Sequence, residues 1–96
     1  MMILVTYDVN TQDPSGRKRL SQVAKKCVAY GQRVQKSVFE CNLDAAQYKK
    51  LVFELKMIID NDKDTIRIYE LGNEYKKKIV KLGVDSSYDA QDLMMV

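Results

Sequence analysis

The chain is predicted to fold as an α+β domain of ferredoxin-like βαββαβ order with an additional C-terminal strand. Three observations carry that reading. Strand-forming apolar runs recur near Met2, Val38 and Thr65, two stretches between them keep a single apolar helical face, and cap or turn residues stand at the junctions. Each amphipathic helix needs an apolar sheet face to cover, and for this order the solution is two helices on one side of a four-stranded antiparallel sheet.

Residues 2–9 form an apolar run into which one carboxylate, Asp8, is set just before the chain turns away. An unpaired carboxylate is costly to desolvate, so an acid at the end of a buried strand points to a metal, a partner charge or a reaction. Asn10, Thr11 and Gln12 form a turn cluster, and Asp13 followed by Pro14 suits a helix N-cap with proline at the first helical position. Leu20, Val23, Ala24, Cys27 and Val28 then line one helical face, Arg17, Lys18, Arg19, Lys25 and Lys26 lie largely off it, and Gly31 is the stop. The space before Asp44 fits two short strands, 32–35 and 38–43, reversing near Lys36 and Ser37; one bent strand with a bulge is the competing reading. Asp44 and Gln47 make a capping-box pattern, behind which Tyr48, Leu51, Val52, Leu55 and Ile59 keep helical spacing to about Asp60. Residues 61–64 are a polar turn, and 65–71 alternate as a half-buried strand ending at Gly72. Residues 79–82 read as one more strand after Lys76, Lys77 and Lys78, and it must close its own sheet or add to the edge of a neighbouring subunit. The domain is thus 1–83, with 84–96 expected as an acidic, flexible tail.

The chain contains no His and no Trp, and its two Cys are far apart, which excludes imidazole bases, Ser-His-Asp triads and zinc knuckles. Cys27 and Cys41 fall at apolar positions and suit a reducing cytoplasm, and no signal peptide or run of about 20 apolar residues is recognised. A 96-residue domain buries only about 60 to 65 % of its unfolded surface, so a second subunit is welcome. The net charge of +3 is uneven: residues 1–83 carry 16 basic against 10 acidic residues, whereas 84–96 carry Asp85, Asp89 and Asp92 without a base. A body of net +6 is compatible with a polyanionic partner.

Asp8 alone makes a poor hydrolytic site, because metal-assisted phosphodiester cleavage wants two or more oxygen ligands around a hard cation. Asp13 is explained as a cap and Glu40 lies on a strand, so the most economical second carboxylate is Asp8 of a two-fold-related subunit. The alternative is that Asp8 only satisfies backbone N–H groups of the following turn. Arg17 and Arg19, beside that turn, and Arg33, at the next strand, have the chemistry to grip phosphates, against the alternative of a solvated helix face. Among the aromatics, Phe39 is the one close to these candidates.

The run from Leu4 to Val9 (LVTYDV), the segment from Gly31 to Cys41 (GQRVQKSVFEC) and the later DTIRIY from Asp64 to Tyr69 together resemble the CRISPR-associated protein 2 family, in matching order and spacing from about Met2 to Leu82. The resemblance implies homodimers in which the last strand completes the partner's sheet. It further implies a Mg²⁺- or Mn²⁺-dependent endonuclease acting on double-stranded DNA or single-stranded RNA during acquisition of new CRISPR spacers. In that reading Asp8 is the catalytic, metal-binding aspartate, one from each subunit. Tyr7, Arg17, Arg19, Arg33, Ser37 and Phe39 occupy positions tied to activity or substrate contact. The alternative it carries is a non-catalytic dimeric scaffold that bridges the CRISPR-associated integrase and binds duplex DNA.

Overall fold

Strand periodicity puts Ile3, Val5 and Tyr7 on one face and Leu4, Thr6 and Asp8 on the other, and in the computed structural model of residues 1–84 the first set is buried while Asp8 is exposed. The elements are β1 (Met2–Asp8), α1 (Pro14–Tyr30), β2 (Gln32–Gln35), β3 (Val38–Asn42), α2 (Ala45–Ile58), β4 (Thr65–Gly72) and one 3₁₀ turn (Tyr75–Lys78). The strands form one sheet in the order β2-β3-β1-β4, every neighbouring pair antiparallel. This is the ferredoxin-like arrangement expected from the βαββαβ order. Val23, Ala24 and Cys27 of α1 and Leu51 and Leu55 of α2 close over Ile3, Val5, Tyr7, Phe39 and Cys41, and the opposite sheet face is left open.

Local chemistry sets the element ends. The Asp13 carboxylate accepts from the Gly16 N–H at 2.7 Å with Pro14 in the first turn. Asp44 accepts from the Gln47 N–H at 2.8 Å while the Gln47 side chain accepts from the Asp44 N–H at 3.0 Å, completing the capping box. The chain reverses at Lys36 and Ser37 to make a hairpin, yet the competing bulge also has substance because the β2–β3 register shifts between Arg33 and Gln35. Gly31 leaves α1 where any Cβ would collide with the Cys41 Sγ and the Glu40 carbonyl, so the helix-to-strand connection requires glycine. Burial pushes the Cys41 thiol up to about 11 and the Cys27 thiol, beside it, up to about 12, which makes both inert core residues.

Residues 79–82 do not form a strand within this chain. Ile79 has extended backbone (φ −112°, ψ 119°), and the segment runs past Gln32, Val34, Gln35 and Glu40 around a cavity of about 430 Å³, with Val80 and Leu82 80 % and 90 % exposed. A strand is defined by its ladder, and among the described residues 79–82 pair with no other segment. The expected tail from residue 85 onward lies outside the described residues. Among those described, no helix is long and apolar enough to cross a membrane.

Candidate active site

The site forms where β1 ends. Asp8 stands opposite Thr65 and Thr6 opposite Arg67 in the β1–β4 register, and Thr6, Tyr7, Asp8, Thr65 and Arg67 line a shallow cleft of about 270 Å³ on the open sheet face. The chain beyond Asp8 is held by a second acid, Asp64, one residue before Thr65. Its carboxylate is fully buried and accepts from the Asn10 N–H at 3.0 Å, the Asp60 N–H at 2.9 Å, and Arg19 through Nε at 2.7 Å and Nη2 at 3.3 Å. Burial pushes the Asp64 carboxyl up, but the Arg19 guanidinium and the two backbone donors outweigh it and hold it below the ordinary carboxylate value. Arg19 also reaches Ser15 Oγ at 3.0 Å and the Asn10 carbonyl at 3.4 Å, and Ser15 Oγ donates to Asp13 at 2.7 Å. Bonds from Ser15, Gly16 and Lys63 draw the Asp13 carboxyl down to about 2. Gly16 is pressed so closely on the Asn10 carbonyl that a Cβ would collide with it. The loop that follows Asp8 is therefore pinned by α1 on one side and by the α2–β4 turn on the other.

The residues singled out from sequence divide into separate groups. Tyr7, Arg33 and Phe39 lie on the face opposite Asp8: Phe39 is fully buried and packs on Tyr7 with ring centroids 6.1 Å apart, and the Arg33 guanidinium lies 5.1 Å from the Phe39 ring centroid with Arg33 itself buried. Phe39 thus reaches no nucleotide base from the folded chain, and Arg33 is a core cation rather than a surface one. The Tyr7 hydroxyl donates to the Lys36 carbonyl at 3.2 Å, and burial, only partly opposed by Arg33, raises its pKa. Ser37 enters through its backbone, its carbonyl accepting from the Tyr7 N–H at 3.1 Å. Arg17 is exposed on α1. Arg19 is committed to Asp64, so its expected grip on phosphate gives way to an internal role. Two further residues at or beside the cleft, Asp64 and Arg67, fall inside the DTIRIY segment but are given no individual role by the sequence. Asp64 reads as one more acid in a polar turn, because its partner is 45 residues away. Arg67 sits on the strand two residues after Thr65, and the alternation that puts Asp8 on the open face could have placed it there too.

A single chain supplies one carboxylate to the cleft, and among the described residues no group of three or more His, Cys, Asp or Glu converges. Mg²⁺ keeps several waters and takes one or two carboxylates together with substrate phosphate oxygens. Among the described residues the cleft therefore offers a hard cation one charged oxygen donor group, the exposed Asp8 carboxylate, and a complete site needs oxygen ligands from elsewhere.

A sequence model of the family described as "CRISPR associated protein Cas2" matches residues 1–79. The "CRISPR-associated endonuclease Cas2" of Halalkalibacterium halodurans is 52 % identical over 92 residues, spanning 96 % of each chain. The "CRISPR-associated endoribonuclease Cas2" of Nitratidesulfovibrio vulgaris is 45 % identical over 91 residues, covering 95 % of this chain and 89 % of the relative. Among solved structures, Cas2 of Streptococcus pyogenes, crystallised at pH 6.5, superposes with a TM-score of 0.77 at 54 % identity, covering 86 % of this chain and 100 % of its own.

Proposed function

The chain belongs to the CRISPR associated protein Cas2 family, and from that premise we propose that it is a divalent-cation-dependent endonuclease of CRISPR spacer acquisition, assembled as a homodimer. One observation carries the reading: Asp8 is exposed on an open sheet face, on a strand end whose following loop is fixed by Asp64, with an arginine in the same cleft. An exposed acid at a strand end whose following loop is tied down, with room in front of it, suits a cation and a phosphodiester. Two copies related by a two-fold axis would bring two Asp8 carboxylates together, and their mutual repulsion would favour a cation between them. Mg²⁺ or Mn²⁺, when bound, supplies Lewis-acid polarisation of the phosphoryl group and lowers the pKa of a water. The protein's own part is to aim the Asp8 carboxylate, to offer a guanidinium to the phosphate, and to keep the Tyr7–Phe39–Arg33 packing behind β1 rigid.

The names of the relatives divide between endonuclease and endoribonuclease, so the experiment offers duplex DNA and single-stranded RNA in parallel, each with Mg²⁺, with Mn²⁺ and with EDTA. Cleavage of at least one substrate that is abolished by EDTA and restored by excess cation is the expected result; cleavage indifferent to the chelator would refute the metal. The second reading, a scaffold that carries duplex DNA for the CRISPR-associated integrase, is favoured by the exposed basic residues Arg17, Lys18 and Lys25 on α1. It requires no cleavage and is compatible with the first.

A further inference from the structure

The chain has four arginines, and the fold gives them four different situations. Arg19 is spent on Asp64, Arg33 is buried against Phe39, and Arg17 is exposed on the helix side of the molecule. Arg67 is exposed on the open sheet face and shares its cleft with Asp8. In the register Asp8 faces Thr65 and Arg67 faces Thr6, which makes Asp8 and Arg67 diagonal neighbours on one face, with Cβ atoms roughly 7 Å apart. No ion pair joins them; among the described residues the guanidinium's hydrogen-bond contact is the Tyr69 hydroxyl, at 3.4 Å from Nη1. Opposite charges that share a cleft without closing on each other leave room for a ligand that satisfies both. A phosphodiester beside a cation does so: the cation neutralises Asp8, and the phosphate's non-bridging oxygens take the planar donors of the guanidinium.

We propose that Arg67 is the phosphate-gripping residue of this site, binding the non-bridging oxygens of the nucleic-acid phosphodiester positioned at Asp8. The assignment rests on the nuclease reading above and adds to it the residue that holds the substrate. Arg67 makes and breaks no covalent bond and moves no proton. It contributes charge and two-point orientation, which a lysine reproduces only in part. Tyr69, two residues further along the same face and 46 % exposed, accepts from the guanidinium through its hydroxyl at 3.4 Å.

The test compares Arg67→Gln and Arg67→Lys with the unmodified protein and Asp8→Asn. Cleavage of single-stranded RNA and duplex DNA oligonucleotides is followed over ranges of substrate, Mg²⁺ and salt, and oligomeric state and melting are measured in parallel. Arg67→Gln is expected to lower kcat/KM about 10²-fold. It should leave melting, assembly and Mn²⁺ binding unchanged, and should flatten log K against log[salt] for single-stranded oligonucleotide by about 0.7 per phosphate that Arg67 neutralises. Arg67→Lys should recover the salt slope but only part of the rate. Full activity in Arg67→Gln beside an inactive Asp8→Asn would overturn the assignment and leave the nuclease reading standing. A drop in rate accompanied by failure to assemble in both Arg67 variants would overturn it as well, since a structural role would then suffice. Absence of metal-dependent cleavage in the unmodified protein would overturn both.

Discussion

Asp8→Asn is expected to reduce divalent-dependent cleavage by about 10²- to 10³-fold, roughly 3 to 4 kcal/mol of activation free energy, without measurable loss of stability. The side chain is exposed and the backbone of residue 8 keeps its place opposite Thr65 whatever the side chain, so the substitution falls in the class that changes folding by no more than about 0.5 kcal/mol. What it removes is the negative charge of the cleft. An amide keeps the shape and one acceptor oxygen but cannot offset a divalent cation's charge. Cleavage kinetics and thermal melts on the same preparations decide it. Undiminished cleavage, or an unfolded variant, would each be inconsistent with Asp8 as an exposed metal ligand.

The largest stability effect is expected at Asp64. Replacing it with Ala leaves the Asn10 and Asp60 N–H groups and the Arg19 guanidinium without their acceptor in a buried place, a destabilisation of about 3 kcal/mol, or on the order of 10 to 20 °C in Tm for a domain of this size. The effect depends on pH with a defined sign. The folded-state pKa of Asp64 lies below its ordinary value of 3.8, so its carboxylate contributes stability that is fully present above that value and is lost as the pH falls below it. The Tm gap between the unmodified protein and Asp64→Ala should therefore be widest near neutrality and narrow as the pH falls below the ordinary Asp value of 3.8 and through the lower folded-state value. A gap that stays constant on acidification until both proteins unfold would show that the ionised Asp64 carboxylate is not what ties the loop.

Local rules determine what is legible in the sequence. Asp13-Pro14, the Asp44–Gln47 capping box, the stop at Gly31 and the reversal at Lys36 and Ser37 each act over a few neighbouring residues, and all occur in the fold. α2 ends at Ile58, slightly before the expected limit near Asp60, because residues from Asp60 onward belong to the turn that Asp64 organises. Asp8 is visible as a lone acid in an apolar run. Its neighbours are harder to choose, because nearness in sequence does not respect strand alternation: Tyr7 is adjacent in the chain and on the opposite face, while Arg67 is distant in the chain and in the same cleft. The role of Arg19 depends on an acid 45 residues away, which no spacing rule reaches. Residues 79–82 have strand composition without a strand because pairing is a property of two segments, which the composition of one does not reveal.

Two copies of this chain are expected to make one divalent-cation site from their two Asp8 carboxylates. Mn²⁺ titration followed by electron paramagnetic resonance, with the assembly state fixed by sedimentation at the same concentrations, reads that stoichiometry. A shared site gives one tightly bound Mn²⁺ per two chains, displaced by Mg²⁺ and absent in Asp8→Asn. One Mn²⁺ per chain, or binding that survives Asp8→Asn, would contradict it.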